Sequence, residues 1–104
     1  MEYCTIVTNT SNIDEAKKIA HNLVENKLAA CVNIIPEIIS VYNWKNEICE
    51  DKECQLIIKT EKVLFQSVQD TILKLHSYEL PEIIMLPIEK GYDKYLDWIS
   101  KETK

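Results

Sequence analysis

Hydrophobic positions change their spacing several times along the chain, and each change marks an element. Residues 3–8 form a short run rich in β-branched side chains, which suits a strand. Asn9-Thr10-Ser11-Asn12 follows, a cluster of cap-forming side chains with Glu15 three positions after Asn12, and this predicts a helix start. Ile13, Ala16, Ala20, Leu23 and Val24 then recur at helical spacing on one face, while Lys17, Lys18 and Glu25 fall outside it. Residues 29–44 are rich in Val, Ile and Tyr and interrupted by Pro36, and Lys45-Asn46 supplies a tight turn into a second such run over residues 47–60. A second helix is expected next, capped by Thr60 and burying Val63, Leu64, Val68, Ile72 and Leu75. A last strand is expected over residues 80–88, and after Gly91 a short helix carries Tyr92, Tyr95, Leu96 and Ile99.

The order β-α-β-β-α-β with a terminal helix predicts an α+β, ferredoxin-like split βαβ arrangement as one domain over residues 1–104. The prolines agree with it. In that topology the second and fourth strands are the sheet edges, where a missing N–H faces no partner. Pro36 lies in the second strand, and Pro81 and Pro87, six apart, are placed on the same side of the fourth. The hairpin between the second and third strands is too long for its own domain: sixteen residues span roughly 50 Å, against a radius of gyration of about 13 Å for a chain of this size. An exposed edge bearing Ile38, Ile39, Val41, Tyr42 and Trp44 is an aggregation hazard in a monomer, which predicts a homo-oligomer built by strand addition.

Charge and composition narrow the function. All twelve basic residues are lysines, set against seventeen acidic ones for a formal charge of -5, which argues against nucleic acid, whose phosphates and base edges call for basic and above all arginine side chains. No apolar run approaches the roughly 20 residues of a membrane span, and the start of the chain lacks the pattern of a signal peptide, so a cytoplasmic protein is expected. The four cysteines are then expected as free thiols.

Each candidate for chemistry has a plain structural reading beside it. Cys49 and Cys54, five apart on a strand, point to opposite faces and do not make a metal pair. Cys4 shares a face with Ile6 and suits a core. Cys31 shares its face with Asn33 and is either a packing residue or a soft thiolate donor suited to Cu(I) or other thiophilic ions. His76 stands with Ser77, Tyr78 and Glu79 at one turn, either as a partner of the helix dipole or in a ligand or proton-handling role with Glu79. Lys59, at a strand end, is a solvated lysine or the charge of an anion site, and His21 reads as a surface residue. No glycine-rich phosphate loop, nucleophile elbow or zinc-protease motif is present, and nothing in the spacing supports a Cys31/His76 nucleophile pair, so no enzyme is expected.

The stretch Leu28-Ala29-Ala30-Cys31-Val32-Asn33-Ile34-Ile35-Pro36, then Ser40, Tyr42 and Trp44, then Lys59-Thr60, resembles the CutA family of divalent-cation tolerance proteins. His76-Ser77-Tyr78-Glu79-Leu80-Pro81-Glu82-Ile83, Pro87-Ile88 and Tyr95-Leu96-Asp97-Trp98 continue the match over essentially the whole chain. The resemblance implies a ferredoxin-like subunit in a homotrimer, similar in assembly to the PII signalling proteins and held by its long hairpins, with Ile39, Val41, Tyr42 and Trp44 at the trimer interface. It further implies binding of copper or another divalent cation near subunit boundaries, with Cys31, His76 and Glu79 as ligands and Lys59, Tyr78 and Trp98 as cleft neighbours. Two positions depart from the family's usual pattern: Ser77 stands in place of a proline, which is expected to loosen the turn presenting His76, and Lys45-Asn46 replaces a glycine-bearing hairpin turn. An alternative function follows from the same resemblance: a PII-like signalling or assembly module whose intersubunit cleft binds a small ligand or protein partner, with Lys59 as the charge.

Overall fold

The molecule, a computed structural model, is described for residues 2–104. Its first strand, β1 (Tyr3–Thr10), ends in the cap cluster, where the Asn12 side chain accepts the Glu15 backbone N–H at 2.8 Å and opens helix α1 (Ile13–Glu25). The helix closes without glycine. Lys27 takes the left-handed conformation at φ 59°, and the Leu28 and Lys27 N–H groups return to the carbonyls of Leu23 and Val24. Strands β2 (Cys31–Trp44) and β3 (Glu47–Glu61) form the long hairpin, turned by Lys45 and Asn46, both at positive φ as a two-residue turn matched to strand twist requires. Helix α2 (Phe65–Leu75), edge strand β4 (Ile83–Ile88) and helix α3 (Asp93–Glu102) complete the chain.

The sheet is antiparallel throughout, in the order β2-β3-β1-β4, so the two edges lie where the prolines placed them. Pro36 falls within a β-bulge between Ile35 and Ile38, and Pro87 sits opposite Cys4 on the outer strand. Pro81 does not belong to β4, which starts at Ile83. The opening of the second helix also differs from its sequence pattern. Pairing with Cys4 keeps Thr60 in β3, where its hydroxyl donates to the Leu28 carbonyl at 2.7 Å rather than capping a helix. A 3-10 turn over Lys62–Leu64 intervenes and leaves Val63 83% exposed instead of buried. Val68 and Ile72 are buried as the helical period requires.

Helices α1 and α2 cover one face of the sheet. Cys4 and Ile6 of β1 and Leu56 and Ile58 of β3 pack there against Ile19, Leu23, Val68 and Ile72 in a continuous core, each large side chain contributing about 1.5–3 kcal/mol by leaving water. Cys54 joins that core with its thiol donating to the Pro36 carbonyl, and Cys49 lies five residues away on the opposite face. All four cysteines are free thiols. Past Pro36 the hairpin outruns the helices, giving a molecule 44 Å long and 25 Å wide. There Ile39, Val41 and Ile48 are 65%, 65% and 75% exposed.

Candidate functional site

The bulge at Pro36 decides what the hairpin presents. Before it, Cys31, Asn33 and Ile35 lie on the sheet face that the two long helices leave open; one extra residue shifts the alternation, so beyond it Ile38, Ser40, Tyr42 and Trp44 take over that face. Opposite them β3 contributes Glu53 and Asp51. The hairpin so arranged faces the loop that follows α2, and between the two lies a cleft of about 650 Å³.

The loop is fixed by its histidine. His76 is the C-cap of α2, with its side chain wholly buried. Its Nδ1 accepts the Tyr78 backbone N–H at 3.1 Å, so Nε2 carries the proton and donates to the Asn9 carbonyl at 2.5 Å. Ser77 donates to Glu15 Oε1 at 3.2 Å, which ties the loop to α1. Tyr78 packs its ring on His76, with centroids 4.7 Å apart, and its hydroxyl reaches across the cleft to donate to Glu53 Oε2 at 2.7 Å. Burial, and then the hydrogen bond and charge of Glu53, push that phenol well above its ordinary pKa. On the hairpin the Tyr42 hydroxyl donates to Asp51 Oδ2, and that bond is the main cause that pushes the Tyr42 phenol up to about 12. Asn9 forms the floor, donating to Glu82 Oε1 at 3.3 Å and accepting from the Gln55 amide at 3.2 Å.

Of the residues expected at a site, Tyr78 and Glu79 line this cleft and His76 stands behind it as a prop. Cys31 and Lys59 pair with one another at the level of Thr5, four residues along the sheet from Asn9, or about 13 Å. Lys59 Nζ donates to Asn33 Oδ1 there. Trp98 lies on α3, stacked on Tyr95 with centroids 5.5 Å apart. One chain therefore does not bring Cys31 to His76 and Glu79, and among the described residues no three His, Cys, Asp or Glu side chains converge as a metal site. Of the expected interface residues, Ile39 and Val41 fall on the opposite hairpin face from Tyr42 and Trp44, which rim the cleft. Glu53, Gln55 and Asn9 are cleft residues that the sequence pattern did not single out. Their position depends on the bulged register, which spacing alone does not reveal.

A split βαβ sheet whose central hairpin outruns its helices and borders an acidic, aromatic cleft belongs with small ferredoxin-like subunits. Residues 4–102 match the CutA1 divalent ion tolerance protein family, and the chain belongs to that family. It is 43% identical over 103 residues to the divalent-cation tolerance protein CutA of Thermus thermophilus, covering 99% of each. It is 42% identical over 99 residues to the chloroplastic CutA protein of Arabidopsis thaliana, spanning 95% of this chain but only 54% of that one. The crystal structure of CutA1 from Oryza sativa superposes with a TM-score of 0.97 at 38% identity, covering 100% of this chain and 95% of the other. A chloroplastic relative shows that location varies within the family. No helix among the described residues is long and apolar enough to cross a membrane.

Proposed function

We propose that the chain acts in divalent-cation tolerance as a homotrimer, and that cations, copper among them, are held where subunits meet rather than inside one chain. The observation that carries this reading is the bare distal hairpin. Among the described residues its outer strand has a neighbour on one side only, and Ile39, Val41 and Ile48 stand more than half exposed with nothing there to cover them. A second copy laid against that edge covers them, and it contributes an outer wall beside Tyr42 and Trp44 at the cleft rim.

Cys31, His76 and Glu79 remain the ligands to test, drawn from more than one copy because one chain holds them apart. Cys31 supplies a soft donor suited to copper, and Glu79 supplies a carboxylate from the cleft wall. His76 has both ring nitrogens engaged, so it acts first by fixing the loop that carries Glu79 and ligates only once that loop opens. Four unpaired thiols suit a reducing compartment, which supports a cytoplasmic setting.

The test is a competitive copper and zinc titration of the reduced protein beside Cys31→Ser, His76→Ala and Glu79→Gln, with sedimentation mass measured on each sample. Binding at a fixed ratio to a trimer, weakened about tenfold (about 1.4 kcal/mol) by a substitution, upholds the reading. A mass of one chain at micromolar concentration sinks the assembly, and equally weak binding by all four proteins reduces the cation contact to general charge attraction.

A further inference from the structure

We infer that the cleft between the hairpin and the 78–82 loop binds a small organic cation, a primary ammonium or diammonium compound. Two segments far apart in sequence meet there. Ser40, Tyr42 and Trp44 come from β2, and Tyr78, Glu79 and Glu82 from the loop before β4, and these are among the residues by which the chain resembles its family. At about 650 Å³ the cleft falls within the range of small-molecule sites, about 300–1,000 Å³.

The charge of the cleft is one-sided. Among the described residues Glu53, Glu79 and Glu82 line it, and no lysine or histidine does. Glu53 is held at one oxygen by the Tyr78 hydroxyl and Glu82 at one oxygen by the Asn9 amide, which leaves each with lone pairs for a further donor. Glu79 has no hydrogen-bond or ion-pair partner among the described residues. Among the described residues these three carboxylates do not converge on one metal ion. An ammonium group offers three separate N–H donors, and a diammonium chain carries two such groups some way apart, which suits carboxylates spread along a cleft. The walls suit the same chemistry. Tyr42, Trp44 and Tyr78 present aromatic rings, and the chain's own Lys45 ammonium already lies 5.7 Å from the centroid of the Trp44 ring, within cation–π distance. The inference goes beyond copper binding at Cys31 and shares Glu79 with that reading, while Glu53 and Glu82, which that reading does not use, separate the two.

The experiment is calorimetric titration of the assembled protein at low salt with 1,4-diaminobutane, beside 1,4-butanediol as a neutral compound of the same length. Saturable binding of the diamine at one per chain is expected, with no heat from the diol. Glu79→Gln and Glu82→Gln should each weaken it about tenfold. Glu25→Gln, which removes the same charge from the exposed surface of α1, should change it less than twofold. The inference is overturned if the diol binds as well as the diamine, if Glu25→Gln weakens binding as much as the cleft variants, or if the assembled protein takes up no diamine. Displacement of the diamine by stoichiometric zinc, lost in the same two cleft variants, also overturns it, because the cleft then takes metal ions. Circular dichroism of each variant, with Glu53→Gln as a third cleft substitution, guards against loss of fold.

Discussion

Strand β3 runs through two environments. From Cys54 to Thr60 its alternate side chains lie under α1 and α2 and reach complete burial at Leu56 and Ile58, while from Glu47 to Lys52 the same strand, paired just as regularly with β2, has no helix above it and leaves Ile48 three-quarters exposed. Pairing with β2 continues through both halves, but only residues 54–61 also pair with β1 on their other side. The proximal half therefore has a second strand and two helices against it, and the difference teaches that this half is stabilised by its own chain while the distal half leaves its apolar side chains uncovered by that chain.

The strongest way to break that comparison is to truncate one residue in each half. Leu56→Ala should lower stability by about 2–5 kcal/mol, the cost of lost burial and a cavity, in urea melts that hardly depend on protein concentration. Ile48→Ala should change the subunit by no more than about 0.5 kcal/mol, and its effect should grow on dilution. Equal losses at the two sites would show that the hairpin is packed by its own chain. Next in size, Trp44→Asp should weaken self-association by about 2 kcal/mol or more, as loss of an interface aromatic does, read as a lower sedimentation mass with the near-native circular dichroism of the core retained; an unchanged mass would remove Trp44 from the interface.

Smaller effects sharpen the picture. Asn12→Ala removes the cap of α1 and should cost about 1 kcal/mol, a loss confined to the helix-covered half and therefore unaffected by dilution. The cleft tyrosines bring a pH dependence. The folded protein keeps Tyr78 and Tyr42 protonated at a pH where the unfolded chain's phenols, near pKa 10, have begun to ionise. The folded state thus binds more protons, and stability falls as pH rises above about 10. Tyr78→Phe should flatten part of that fall in melts taken at a series of alkaline pH values; an identical slope would show that the Tyr78–Glu53 contact does not persist in solution.

Much of the fold was legible from local chemistry. Asn12 and Glu15 marked the start of α1, Lys45-Asn46 marked the hairpin turn, and Pro36 and Pro87 marked the two sheet edges, because capping, turn geometry and a missing N–H act within a few residues. Thr60 suits a helix cap by sequence but serves a strand in the fold, since the same hydroxyl can do either and its partner Leu28 is thirty-two residues away. The cleft was half legible. Tyr78 and Glu79 were singled out for their chemistry, but Glu53, Gln55 and Asn9 were not, because nothing local distinguishes them from other polar residues on strands. The trio Cys31, His76 and Glu79 looked like one site in the resemblance, and one chain separates it along the length of the sheet.

The sequence by itself determined the elements, their order, the sheet edges, the free thiols and the family, all properties of short-range periodicity or of motifs read in line. Tertiary structure decided which side chains meet. A single extra residue at the Pro36 bulge turns Tyr42 and Trp44 toward Glu53 and the 78–82 loop, and a buried imidazole holds that loop in place. The physical reason is that a strand's side chains alternate with a period of two, so one inserted residue reverses every face beyond it, and only the pairing with β3 records where that insertion lies.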